Sequence, residues 1–422
     1  MQVHTDSATL TESRASAEQA RLPRKRMAIV SSYGRPCGIA QYLESIEPVL
    51  RDRSGFDVEI MPLPVDLLRA QLPHAKKAAA KAMREIVRKA AQSDLTCIEF
   101  EPGLFGMTPR TIWRNARALI RASRRVLIVY HTAPSIQGGL PSFSLKGIFG
   151  YLKARLRQSV FDNLFGYVRA HPEKFRHLVH TAREARNFEM FGIRRDTILR
   201  APLSFIDAPE RERLAARRPA LQDSARARYT LPPDAKILGC FGFLSPYKGI
   251  EVAIQTMKHL PDNYHLLVVG GFHPEGIQPG AVQQAYMAVL MKALTRPLLS
   301  RVHFCGALEN ERFNEVMAAC DAVILPYAEV GQTSSGPASL ALDMQLPVYA
   351  SNNLFFREMN KYRPGVLTFF EIGNHLELAE KILRDAGAEC AEARKAYLEE
   401  YNVRSRAQLY WNAFDDLLRS KA

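Results

Sequence analysis

Lys236-Ile-Leu-Gly-Cys-Phe241-Gly-Phe-Leu-Ser-Pro-Tyr-Lys248-Gly249 begins as a short apolar run, turns at a glycine and ends on a lysine–glycine pair just before the apolar stretch that starts at Ile250. The run predicts a strand over Lys236–Phe241 and the stretch beyond Gly249 predicts a helix. Gly242 lets the backbone turn closely, and Lys248 sits beside the positive end of the helix dipole. A strand, a glycine turn and a helix N-terminus with a cation beside it form a phosphate site, and in open α/β sheets ligands bind outside the carboxyl ends of the strands.

The same alternation runs along the chain in both directions. Strands are expected at Met27–Ser31, Asp57–Pro62, Leu95–Phe100, Arg125–His131 and His177–Thr181, and then at Lys236–Phe241, His265–Gly270, Arg301–Cys305, Asp321–Tyr327, Leu346–Ser351 and Gly365–Phe369. Longer helical patterns separate them, as in βαβ units. Two doubly wound parallel sheets follow, an α/β architecture in two Rossmann-like domains. The expected boundaries are a disordered tail over residues 1–25, a first domain over 26–200, a linker over 201–234, a second domain over 235–402 and a terminal helix over 403–422. The linker carries Pro202, Pro209, Pro219, Pro232 and Pro233 and a dense run of charge, with one short helix expected at Ser224–Tyr229. Arg404–Leu418 repeats apolar anchors at Leu409, Trp411, Phe414 and Leu417, at helical spacing.

Length and composition agree with this division. The 422 residues exceed one ordinary core, and 47% hydrophobic residues suffice for two. Six cysteines are scattered without a C-x-x-C spacing, which suits a reducing cytoplasm better than disulfides or a zinc site. The first residues lack a signal-peptide core, and no window approaches the roughly 20 apolar residues that span a bilayer. The expectation is a cytoplasmic protein. A net charge of +14 points to an anionic partner: phosphorylated substrate, membrane surface or nucleic acid. The excess gathers at Lys76, Lys77, Lys81, Arg84, Arg88 and Lys89, and at Lys146, Lys153, Arg155 and Arg157. The second group is interleaved with Phe143, Phe149, Tyr151, Phe161, Phe165 and Tyr167, a mixture that suits a membrane interface. Nucleic acid fits less well, because no reading module appears.

Two further loops follow strands. Glu329-Val-Gly-Gln332-Thr-Ser334-Ser335-Gly336-Pro337 leads into a helix that Ser335 or Gly336 can cap, with Pro337 at the first helical position, so that free N–H groups face a second anion position. Gly34-Arg35-Pro-Cys-Gly38-Ile-Ala-Gln-Tyr42 follows the first strand. It is not G-x-G-x-x-G, and a dinucleotide oxidoreductase is a weak reading. Two ligand edges facing each other across a linker make an interdomain cleft.

Gly38-Ile-Ala-Gln-Tyr42, Ile98-Glu-Phe-Glu-Pro-Gly-Leu-Phe-Gly106, Gly242-Phe-Leu-Ser-Pro-Tyr-Lys-Gly249 and Leu325-Pro-Tyr327 with Gln332-Thr-Ser-Ser-Gly336 together resemble the GT-B retaining glycosyltransferases of family 4, over about residues 27 to 420. The resemblance implies that the second domain holds a nucleoside-diphosphate sugar, a UDP-sugar or GDP-sugar, and the first an acceptor. Lys248 matches the lysine of the donor diphosphate, while the arginine that usually accompanies it is Phe243. The family's paired glutamates fall on Gln332 and Leu340, so Glu329 or Glu309 is left to meet the ribose. His131 matches a histidine on the reaction side.

The expected reaction residues are therefore His131, Lys248 and Gln332. Donor contacts are expected from Gly38, Gly242, Lys248, Glu309, Glu329, Gln332, Ser334, Ser335 and Gly336. Arg35, Tyr42, Glu101 and His131 are expected on the acceptor side. No D-x-D loop or His/Cys cluster offers a metal site, and no cofactor is expected beyond the donor itself. The acceptor expected is a saccharide or a polyprenyl-diphosphate-linked saccharide at the inner face of the plasma membrane. A catalytically silent sugar-nucleotide-binding or scaffold protein and a same-fold epimerase stay open as alternatives.

Overall fold

The computed structural model describes residues 24–35, 37–53, 55–134, 145–272, 281–329 and 334–420, with the backbone alone for 145–157 and 281–284. Six parallel strands make the first sheet: β1 (Lys25–Ser31), β2 (Phe56–Pro62), β3 (Leu95–Phe100), β4 (Val126–Tyr130), β5 (Phe175–Val179) and β6 (Ile198–Arg200), in spatial order β2-β1-β3-β4-β5-β6. The second sheet holds β7 (Lys236–Phe241), β8 (Tyr264–Val269), β9 (Val302–Gly306), β10 (Ala322–Leu325), β11 (Val348–Ser351) and β12 (Thr368–Phe370), in order β12-β11-β10-β7-β8-β9. Every residue of β3, β4, β5 and β8 is buried, as in parallel strands covered by helices on both faces. The edge strand β2 alternates instead.

Both sheets reverse direction once, between β1 and β3 in the first and between β7 and β10 in the second. A reversal of strand order opens a crevice at the carboxyl ends. In the second sheet it brings together the loop after β7, which carries Lys248, and the loop after β10, which leads to Ser335.

Several expectations need correction. Where a short helix at Ser224–Tyr229 is expected, a long one spans Ala208–Tyr229. Asp207 caps it by accepting from Glu210 N, and Pro209 falls in the first turn, where a missing N–H costs nothing. This helix joins the second domain, with Arg217 on Glu315 and Arg218 on Asp321, so the connection proper is residues 201–207. The strand expected at His177–Thr181 starts and ends two residues earlier, because the Thr181 side chain caps the next helix. The small strand β6 goes unrecognised in the sequence, since three residues are too few for a period to show. Residues 1–23 of the expected tail lie outside the described residues, and Lys25 already belongs to β1.

The terminal helix, Val403–Arg419, follows the second domain in sequence yet packs on the first. Its apolar face (Ala407, Tyr410, Trp411, Phe414 and Leu417) joins a core cluster that runs from Met27 and Tyr42 through the 201–207 connection to Ile237 and Leu340. Arg53 to Asp415, Arg125 to Leu417 O and Arg176 to Asp416 pin its outer side. The other face of each sheet has a core of its own.

The helix Pro73–Gln92 buries Ala75, Ala79, Met83 and Ile86 and leaves Lys76, Lys77, Lys81 and Arg84 exposed. Of the aromatic residues expected beside the second basic group, Phe161 and Phe165 are core residues instead. They interdigitate with Phe100, Tyr130 and Phe188, a buried role that helical spacing alone does not distinguish from an interfacial one. Phe143 and the side chains of Lys146, Phe149, Tyr151, Lys153, Arg155 and Arg157 lie outside the described residues.

Candidate active site between the two sheets

The loop after β7 folds over its own lysine. Pro246–Lys248 make a 3-10 turn that ends at Gly249, whose φ is +62°. A Cβ on Gly249 would lie 2.0 Å from Pro326 O, so only glycine lets this loop press against the exit of β10. Lys248 is thereby turned inward and is 5% exposed. Its Nζ donates to Tyr327 Oη at 2.7 Å and stands 3.9 Å from the centre of that ring.

Among the described residues no carboxylate pairs with this ammonium, and burial pushes its pKa down to about 7. A buried cation without a counter-charge is costly unless an anion arrives to meet it.

The loop after β10 completes the arrangement. Tyr327 Oη lies 3.1 Å from Ser335 Oγ, and Ser335 caps the helix Gly336–Asp343 by accepting from Ala338 N. Ser351 Oγ and Asn353 Nδ2 both donate to Tyr327 O and hold that residue from below. Lysine, tyrosine and helix N-terminus thus form one connected unit at the reversal of strand order. Gly242 backs it, a Cβ there standing 3.3 Å from Lys248 Nζ.

Phe243, where the family resemblance implies arginine, is partly exposed on the same loop. Glu329 accepts from Leu354 N at 2.7 Å and so caps the helix Leu354–Asn360. Glu309 precedes the helix Asn310–Ala319 beyond the edge strand β9, exposed and without a side-chain cap bond. Gln332 lies outside the described residues. Leu340 is buried in the core between the domains, with no polar atom to offer a ribose.

On the first domain Gly38 opens the helix Gly38–Arg51, capped by Cys37 Sγ. Arg35 pairs with Asp66, which holds that carboxyl below its ordinary range. Glu101 accepts from Thr132 Oγ1 at the rim of β3 and β4. Tyr42, expected to face an acceptor, is fully buried, and its hydroxyl is taken by Tyr410 and Arg406 of the terminal helix. It backs the site rather than lining it.

His131 follows β4. Its Nε2 lies 2.7 Å from Glu99 Oε2, and its ring meets Tyr42 edge-on at 5.7 Å and His180 at 5.6 Å. His180 is buried with Nδ1 on Ala201 O, and burial holds its pKa well below the ordinary imidazole value. A narrow crevice between the sheets is lined by His180 and Thr181 from the first domain and by Ser335, Ser339 and Tyr362 from the second.

Four site residues are missed by sequence reasoning: Glu99, His180, Asp343 and Arg406. Asp343 is the one with a visible signal, a lone acid in the apolar run Ala338–Met344.

Comparison with known proteins bears on this geometry. Residues 222–392 match the family described as "Glycosyl transferases group 1". That stretch carries Lys248, Tyr327 and Ser335. A GDP-mannose:glycolipid 4-beta-D-mannosyltransferase of Xanthomonas campestris pv. campestris is 29% identical over 115 residues, which is 26% of this chain and 28% of that relative's length. The aligned segment thus spans little more than a quarter of the curated relative.

Among solved structures, Anabaena HepE in complex with UDP and glucose superposes with a TM-score of 0.62 at 17% identity, over 93% of this chain and all of that one. WaaG, described as a glycosyltransferase involved in lipopolysaccharide biosynthesis, gives 0.59 at 16% identity, over 93% and 100%. These likenesses establish the GT-B fold: two Rossmann-like domains, the second holding most of the segment that matches the family description together with Lys248, Tyr327 and Ser335. Among the described residues no helix is long and apolar enough to cross a membrane, and no three His, Cys, Asp or Glu side chains are grouped as metal ligands.

Proposed function

We propose that this chain is a glycosyltransferase that takes a sugar from a nucleoside-diphosphate sugar held by the second domain. The observation that carries the reading is Lys248, a buried ammonium with no carboxylate partner among the described residues, tied through Tyr327 to the capped N-terminus of Gly336–Asp343. A departing diphosphate is the anion that suits this pair. It brings the missing counter-charge, and the leaving group's developing charge is met by a donor and a dipole already in place. No divalent cation is needed for that role, and none is assigned. His131 is the group we place toward the sugar from the first domain, and Gln332 the one from the second.

The acceptor we assign is a saccharide, free or linked to polyprenyl diphosphate, in the synthesis of a bacterial surface polysaccharide. Support comes from the glycolipid in the name of the Xanthomonas relative and from the lipopolysaccharide role given to WaaG. The exposed basic face of Pro73–Gln92 is the surface we assign to the anionic inner leaflet. Flotation with anionic liposomes at low salt is expected to carry the protein upward, and no flotation would remove the membrane from the proposal.

Retention at the anomeric carbon is what the family resemblance implies. Buried Leu340, where that resemblance implies a glutamate, bears on the nucleotide ribose and not on the anomeric carbon, so inversion is the outcome that would overturn retention. The anomeric configuration of the product, read by NMR, separates the two. The donor is identified by thermal denaturation against UDP-, GDP- and ADP-sugars. The cognate donor at a hundred times its Kd is expected to add about 2.7 kcal/mol of stability. A flat response to every nucleotide sugar would sink the assignment. Stabilisation with neither transfer nor donor hydrolysis would leave the silent binding protein.

A further inference from the structure

The terminal helix reaches the reaction-side histidine through a chain of buried hydrogen bonds. Arg406 Nε donates to Tyr42 Oη, Tyr42 Oη and Tyr410 Oη are 2.9 Å apart, Tyr410 Oη donates to Glu99 Oε1 at 2.8 Å, and Glu99 Oε2 lies 2.7 Å from His131 Nε2. All but His131 are almost or wholly buried, and the His131 side chain is 6% exposed. Arg406 supplies the charge that balances Glu99.

The direction of every bond follows from elementary chemistry. A guanidinium only donates and a carboxylate only accepts. Each phenol has a single proton. That of Tyr410 goes to Glu99, so Tyr42 must donate to Tyr410, and the Tyr42 oxygen takes the proton offered by Arg406. Glu99 accepts at both oxygens, and His131 must therefore carry its proton on Nε2.

We infer that Glu99, Tyr410 and Arg406 are positioning residues that fix the tautomer of His131, leaving Nδ1 as an acceptor. Any group that meets Nδ1, whether from the protein or a sugar hydroxyl, has to donate to it. The catalytic consequence rests on the proposed role of His131 toward the sugar; the tautomer itself does not. In the neutral imidazole the partner of one nitrogen decides what the other can do.

Nitrogen-15 NMR of the whole protein without donor, at about pH 8.5 where an ordinary imidazole is neutral, reads the tautomer directly, the His131 signal being assigned by its loss in His131→Gln. The expected result is a pyrrole-type Nε2 and a pyridine-type Nδ1. Glu99→Gln makes a sharper test. Tyr410 still has to donate, so it claims the amide oxygen and turns the NH2 group toward His131, which must move its proton to Nδ1. Turnover should then fall at least about a hundredfold with donor KM changed less than threefold, in the direction of the ~10⁴-fold loss known when an amide replaces the carboxylate behind a catalytic histidine. Adding Tyr410→Phe frees the amide to rotate, and the double variant is expected to regain the original tautomer and part of the rate. A purely structural role predicts the opposite, since the double variant loses one more buried bond. A wild-type His131 protonated on Nδ1, or a Glu99→Gln spectrum like that of the wild type, overturns the inference. The wild-type spectrum decides it even if both variants fail to fold. Absence of turnover with every nucleotide sugar would instead fall on the proposed function, leaving the tautomer assignment standing.

Discussion

Replacing Lys248 by alanine is expected to cut turnover by a factor of about 10² to 10³, the usual loss when one preorganised donor to a developing negative charge is removed. Donor-induced stabilisation should vanish in the same variant. The fold should survive, because what is deleted is a buried ammonium with no carboxylate partner among the described residues, whose desolvation cost offsets its bond to Tyr327. Steady-state kinetics and thermal melting read the two halves separately, and near-normal turnover would end the diphosphate assignment.

A pH effect accompanies this prediction. The ligand-free Lys248 titrates near 7, so above that pH it is neutral, and a diphosphate must bring a proton in with it. Donor affinity should weaken as pH rises above 7, and calorimetry in buffers of different ionisation enthalpy should record proton uptake on binding.

The second large effect is expected at Asp343, on stability rather than rate. Its carboxylate accepts from Phe205 N at 2.6 Å, Ser204 Oγ at 3.1 Å and Ile206 N at 3.2 Å, and so ties the connection between the domains to the helix that Ser335 caps. Asp343→Ala leaves two buried N–H groups unmet, at about 1–3 kcal/mol each, and melting should fall by several degrees or more.

Burial dominates the titration of Asp343 and raises its pKa to about 7, against the bonds from Phe205, Ser204 and Ile206 that favour the charged form. The sign follows from linkage. A carboxyl whose folded pKa exceeds its unfolded value stabilises fully below the unfolded value near 4, and that contribution is lost as pH rises toward 7. The loss can reach about 4 kcal/mol, three pKa units at 1.36 kcal/mol each. Comparing wild type with Asp343→Asn across pH 4 to 7 isolates it. Parallel stability curves would show that the raised titration is not coupled to folding.

The fold was legible because its signals are local and repeated. Runs such as Val126–Tyr130 and Leu266–Val269 are apolar throughout and short, as suits parallel strands covered on both faces. Lys248 and Ser335 were legible for a related reason: each follows a strand and precedes a helix, and strand order then brings them together. Glu99 and Arg406 were not. Their meaning lies in partners up to 311 and 364 residues away, and a glutamate inside Leu95–Phe100 has no period or spacing to mark it. Phe161 and Phe165 misled in the other direction, because an aromatic residue one or two turns from an arginine such as Arg157 looks the same whether it faces lipid or core.

The seat taken by Val403–Arg419 also has a bearing on the order in which the protein is built. A ribosome makes Glu99 and His131 long before it makes Tyr410 and Arg406, and the first domain cannot close its own interior until that late helix arrives. During synthesis the nascent first half must wait with Tyr42, Phe56 and neighbouring apolar side chains uncovered. Glu99, and through it His131, gains its last hydrogen-bond partner only when the closing segment docks, so the surroundings of that histidine are completed at the end of synthesis.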